Sequence, residues 1–135
     1  WSAQMEDAMN ANKKWLVSGF GSGFLAATAL WAIAANAPLS HEAEPGVYKV
    51  VAEDEYLRVV VGTWKPGQRD KFHSHPIFVA YSLTDCHRRL YKPDGTFDEK
   101  QLKAGSTRVF KAVGSHSFEN VGKMECKNLL VERKK

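Results

Sequence analysis

The stretch that decides the fold is Trp64-Lys65-Pro66-Gly67-Gln68-Arg69-Asp70-Lys71-Phe72-His73-Ser74-His75-Pro76. Lys65-Pro66-Gly67 punctuates the chain as a turn, because proline presets one backbone angle and glycine tolerates the reversal. In an extended chain, side chains two residues apart share a face, so His73 and His75 point into one cavity. His116 lies far along the sequence on another expected strand. Three imidazoles converging inside a β-structure suit zinc, copper, iron or nickel.

Working outward, short runs rich in β-branched and aromatic residues recur at 48–51, 56–64, 77–83, 87–91, 96–102, 107–112 and 125–132. Pro93-Asp94-Gly95 separates two of them as a hairpin turn. No window after residue 40 has a helical period, so the soluble part reads as all-β, a sandwich or closed barrel. The net charge of +4 is scattered, and acids such as Glu53-Asp54-Glu55 interrupt the basic residues. That pattern is a solvated surface and not a nucleic-acid footprint, which needs a clustered basic face. Cys86 and Cys126 are too few for a disulfide scaffold and match no zinc spacing. Both are expected on strands, with free thiols favoured, although an oxidising compartment permits one bond.

The N-terminal part is a different physical object. Residues 15–37 carry no charge and follow Lys13-Lys14. Roughly 20 residues cross about 30 Å of hydrocarbon, so the run is long enough to span a bilayer. The lysines place the N-terminus in the cytoplasm. A cleaved secretory signal ending at Ala35-Asn36-Ala37 has the same ingredients. Pro38 would hinder cutting there, which favours an uncleaved anchor. Gly19 and Gly23 form a G-x-x-x-G pair whose bare surface lets another helix approach. The expected organisation is a cytoplasmic segment at 1–14, a transmembrane helix at 15–37, a linker at 38–46 and a periplasmic or otherwise extracytoplasmic domain at 47–135.

Gly67, five residues, then His73-Ser74-His75 resembles the first motif of the cupin superfamily, and Gly105, His116 and Asn120 fall at the spacing of the second. More narrowly, Leu83-Thr84-Asp85-Cys86 and His116-Ser117-Phe118-Glu119-Asn120 look like small exported bacterial cupins of unassigned function. The resemblance covers about residues 45 to 133 and implies a jelly-roll barrel with His73, His75 and His116 as ligands of one divalent metal. It departs where the family's glutamate ligand should stand: this chain has Val79 and Ala80. With an unbroken strand, Val79 faces inward, and Val79, Tyr81 and Phe118 line the cavity. Cupin-fold thiol dioxygenases hold iron on three histidines, so the missing carboxylate does not remove the metal. Lys111 and Val113 also stand where the second motif usually has proline and glycine.

Two function classes follow. The preferred one is a non-catalytic accessory subunit, docked through its helix on a membrane protein complex such as a respiratory or photosynthetic assembly. The other is a small exported three-histidine metalloenzyme of the oxygenase type. The implied partners are the lipid bilayer and that complex, with no nucleic acid. Cupins often pair, so a dimer is compatible with either class.

Overall fold

The computed structural model describes residues 37–135. They form a short helix α1 (Ser40–Ala43) and nine strands: β1 (Tyr48–Glu53), β2 (Leu57–Trp64), β3 (His73–His75), β4 (Phe78–Ser82), β5 (Cys86–Tyr91), β6 (Phe97–Leu102), β7 (Thr107–Phe110), β8 (Val113–Asn120) and β9 (Cys126–Arg133). The seven runs picked out by composition are all strands. The two left out of that set are β3, only three residues long, and β8, whose Gly114-Ser115-His116-Ser117 has little β-branched character. The segment 15–37 and its Gly19–Gly23 face lie outside the described residues, save for Ala37. Among the described residues, no helix is long and apolar enough to cross a membrane.

The strands make two antiparallel sheets, one ordered β1-β2-β9-β4-β7 and one ordered β3-β8-β5-β6. Each strand turns alternate side chains inward, and β9 shows the rule best. Cys126, Asn128, Leu130 and Glu132 are buried, with less buried residues between them. The core is Val47, Tyr48, Val60, Trp64, Phe78, Phe118 and Leu130, drawn from both sheets. Trp64 stacks on Phe118 at 4.2 Å between ring centroids and meets Tyr48 edge-on at 5.2 Å.

Gly62 makes that aromatic contact feasible. A β-carbon there would lie 2.4 Å from the Trp64 ring and 3.2 Å from Tyr48. Gly67 serves the turn ahead of the histidines, with a φ of 75° in the left-handed region that favours glycine.

The stretch 38–46, expected as a linker, is laid against β3. Ser74 donates its N–H to the Pro38 carbonyl at 2.8 Å and its hydroxyl to the Ala37 carbonyl at 2.8 Å. Ser40 is fully buried.

The cysteines correct the sequence reading. Both are on strands as expected, but they are bridged, with α-carbons 5.1 Å apart. The bond joins β5 of one sheet to β9 of the other. Closeness of two residues separated by 40 positions is a property of the sheets' facing, which no local pattern encodes.

Two outcomes follow for stability. Closing a loop of that length should stabilise the chain by about 3–4 kcal/mol on the chain-entropy estimate. The Cys86→Ala, Cys126→Ala double variant should therefore show a lower urea midpoint, and reductant should no longer shift it. Gly62→Ala should cost about 1–3 kcal/mol through overpacking. A far smaller loss in urea titration would mean that Trp64 repacks freely.

Candidate metal centre

β3 owes its position to neighbours on both sides. On its solvent side Ser74 is held by residues 37 and 38, and a parallel bridge links Leu39 to Ser74. On the other side His73 pairs directly with His116 of β8, and the register then slips so that His75 faces Val113. The alternation of β3 therefore sends His73 and His75 inward, as their two-residue spacing predicts. All three histidines are buried, and their ligand-type atoms lie within 4.8 Å of one another.

The tautomers follow from the partners. Nδ1 of His73 is 2.7 Å from the Lys71 carbonyl, which can only accept, so Nδ1 carries the proton. Nδ1 of His75 is 2.7 Å from Glu132, whose carboxylate also pairs with Arg58 at 3.5 Å. Here too Nδ1–H donates. In the neutral forms of the two rings both Nε2 atoms carry lone pairs, and they face each other at 3.1 Å. Two acceptors at that distance repel unless a cation lies between them. With metal–nitrogen bonds of about 2.0–2.1 Å, neighbouring ligand nitrogens stand roughly 2.9–3.4 Å apart. The pair already has that spacing. The His116 imidazole makes no hydrogen bond among the described residues, and its Nδ1 is buried without a partner.

Tyr48 repeats the same conflict. Its hydroxyl is 2.8 Å from Asp70 Oδ2 and 3.0 Å from His73 Nε2. One proton faces two acceptors. Asp70 also accepts from the Trp64 indole at 2.9 Å and from the Phe118 amide at 2.7 Å. A cation on His73 Nε2 would leave the tyrosine proton to Asp70.

The electrostatics favour the neutral forms of His73 and His116. Burial, then the neighbouring His75, pushes His73 down to about 4. Burial, then His73 and His75, pushes His116 down further. Burial raises Asp70 to about 6, against the opposing pull of its hydrogen bonds. The same burial, with Asp70 beside it, raises the Tyr48 phenol well above its usual value. A metal ligand must be deprotonated, and His73 and His116 are so at neutral pH without metal.

A cavity of about 400 Å³ opens from this cluster between the sheets. His75 and His116 line it, with Phe118 as expected. Val79 and Tyr81 do not, which corrects the sequence reading. β3 ends at His75, and the chain bends at Pro76-Ile77 before β4 starts at Phe78. The break shifts the alternation by one, so Phe78, Ala80 and Ser82 face the cavity. Val79 instead lies in a row with Val131 and Val109 on the outer face, and Tyr81 is 40% exposed. Tyr48, Asp70 and Glu132 had no motif to announce them, and only their burial as polar groups singles them out.

The pH dependence of stability follows from these shifts. A histidine neutral in the fold but protonated at 6.5 when unfolded costs stability as pH falls from 6.5 to its folded value. For His73 that loss is on the order of 3 kcal/mol by pH 4. Asp70 acts oppositely, gaining about as much between its folded value near 6 and 3.8. His116 is left to decide the slope. In the presence of a chelator, the urea midpoint should fall from pH 6.5 to 4, and His116→Asn should flatten that fall. An unchanged slope in the variant would show that His116 is not the group being charged.

No family model matches the chain, and no curated protein matches it. Among solved structures, it is similar to a cupin-domain protein from Bordetella pertussis Tohama I. That match has a TM-score of 0.61 and 21% identity, covering 74% of this chain and 98% of the other. It is also similar to the cupin domain of Schizosaccharomyces pombe Cnp3. There the TM-score is 0.51 and the identity 12%, covering 65% of this chain and 60% of that one. At such identities the likeness speaks to fold, and with the two facing sheets it shows that residues 37–135 form a cupin-type β-fold.

Proposed function

We propose that this chain is a metallocupin in which His73, His75 and His116 hold one first-row divalent ion at the inner end of the cavity. The observation that carries the reading is the pair of Nε2 lone pairs facing each other at 3.1 Å, each fixed by a partner on its Nδ1. Neutral imidazoles suit zinc, iron, copper or nickel. The bound ion would supply Lewis-acid chemistry or, as iron or copper, redox chemistry of the oxygenase kind.

The chain's own residues do the positioning. The Lys71 carbonyl and Glu132 orient two of the rings, the outer-shell role that fixes tautomer and basicity. Phe78, Phe110 and Leu130 line the cavity with apolar surface and limit water near the rings. Tyr48 lines the same space and has one O–H to donate.

An extracytoplasmic location is part of the proposal. Its support is the uncharged segment 15–37 behind two lysines, together with the Cys86–Cys126 bridge, which suits an oxidising compartment. The accessory-subunit reading, with docking on a membrane complex through the Gly19–Gly23 face, is the alternative. Its support is that segment alone, and it is compatible with a metal in the barrel.

Elemental analysis of the full chain, purified in mild detergent without chelators, should find about one transition metal per chain. The His73→Asn, His116→Asn double variant should lose it while the β-sheet circular dichroism persists. Glu132→Gln should keep the site but weaken it by about 10–100-fold, as loss of an outer-shell partner does. Failure of ferrous, zinc, cupric and nickel ions alike to bind the chelator-stripped wild type in calorimetry would defeat the reading.

A further inference from the structure

Away from the histidines, the cavity changes character. Its walls near the rings are aromatic: His75 packs on Phe78 at 4.7 Å, and Phe78 stacks on Phe110 at 4.8 Å. Four cationic side chains, Arg88, Lys100, Lys103 and Arg108, share the remaining wall with Leu90, Leu102 and neutral polar groups such as Asn128, and no acidic side chain lines it among the described residues.

Strand register places these charges. Phe78 and Phe110 are partners, level with Glu132 and hence with the histidine end. Arg108 lies one inward position further along β7, opposite Ala80. Arg88 is opposite Asn120, two inward positions beyond His116 on β8, which is on the order of 13 Å of strand. Arg108 thus stands beyond the rings, while the Arg88 guanidinium reaches back to Asp98, level with Phe118 and one inward position from His116.

Their compensation is incomplete. Asp98 takes Arg88 at 3.1 Å and Lys100 at 3.6 Å, one acid for two cations. Lys103 is paired with Asp85 at 2.8 Å. Arg108 has no ion pair among the described residues. Arg88 is the telling residue, because only 6% of it is exposed, and a buried guanidinium is costly unless paired and hydrogen-bonded. It gives Asp98 two hydrogen bonds, through Nη1 and Nη2, while its Nε–H has no acceptor among the described residues. Arg108 lies close enough to Arg88 for the two charges to repel. A like-charged pair beside an apolar wall is an arrangement that a bound anion relieves.

We infer that the cavity binds an anion with an apolar body, a carboxylate of aryl or alkyl type. Its charged group meets Arg88 and Arg108, and its body lies along Phe78, Phe110 and Leu130 toward the histidines. The volume of about 400 Å³ falls in the range of small-molecule sites. This extends the reading of the cavity as the ligand side of the histidine centre, but the anion contacts do not need the ion.

The test is calorimetry on the full chain with three probes of one shape: 4-butylbenzoate, 4-butylbenzamide and 4-butylbenzylamine. Each is titrated with one equivalent of zinc and again in chelator. The benzoate should bind at least tenfold more tightly than the amide, and the amine should not bind detectably. Arg88→Gln should remove most of the benzoate preference. Arg108→Gln, at an exposed position that cannot disturb the core, should reduce it severalfold and leave amide binding unchanged. Preference for benzoate in chelator, with no zinc bound in either titration, would sustain the anion site and sink the metal reading. Equal binding of benzoate and amide, binding of the amine, no binding of any probe, or indifference to both arginine substitutions would each overturn the anion site.

Discussion

The buried carboxyl of Asp70 is the constraint on which the arrangement depends. A carboxylate taken out of water is expensive, and it persists only where donors surround it. Here the donors come from three strands: Tyr48 of β1, Trp64 of β2 and Phe118 of β8. The first two belong to one sheet and the third to the other, so one side chain draws the sheets together. Asp70 also sits three residues before His73, and Ser117, beside His116, donates its hydroxyl to the Asp70 carbonyl. Two of the three candidate ligands are thus held relative to the same residue.

The other anchor comes from the opposite end of the chain. Glu132 lies near the end of β9 and reaches His75, 57 positions earlier, at 2.7 Å. Its pairing with Arg58 of β2 spreads the charge over a second strand. Such a network is stable only as a whole, because removing one member leaves another charge buried and unpaired. The cost is borne at the histidines, where polar groups are gathered without hydrogen bonds enough to satisfy them. Conflict of this kind in an otherwise consistent core is expected at a functional site.

How much of this was legible in the sequence depended on the range of the signal. Local signals read correctly: the inward facing of His73 and His75 from two-residue periodicity, the Pro66-Gly67 turn, and seven of the nine strands. Phe118, two residues from His116, lines the cavity as expected. The failures share a cause. Val79 and Tyr81 were placed by carrying the alternation of β3 across Pro76-Ile77, where the strand stops and restarts out of phase. The disulfide, the packing of 38–46 on β3, and the partnership of Glu132 with His75 are contacts between distant segments. Sequence pattern has no access to those until the sheets are paired. Nothing in the sequence around Asp70, set between Arg69 and Lys71, marks it, and its burial is a consequence of the aromatic cluster that closes over it.

The lack of a carboxylate on the strand after the histidines has a consequence for the balance of charge. Three neutral imidazoles contribute no charge, so a divalent ion among them would keep its full formal charge inside a largely apolar cavity. Asp70 and Glu132 answer part of it, but both are spent on hydrogen bonds of their own and lie behind the rings. Val79 points to the outer face, and Ala80 presents only a methyl group to the cavity. Further along, Arg88 and Arg108 add positive charge instead of relieving it. Every unbalanced charge in the cavity therefore has the same sign. No acidic side chain lines the cavity among the described residues, so a counter-anion would have to come from whatever enters it. Ligand charge then controls affinity more strongly than ligand shape, since an apolar wall accepts many bodies while an uncompensated cationic end accepts one sign of charge.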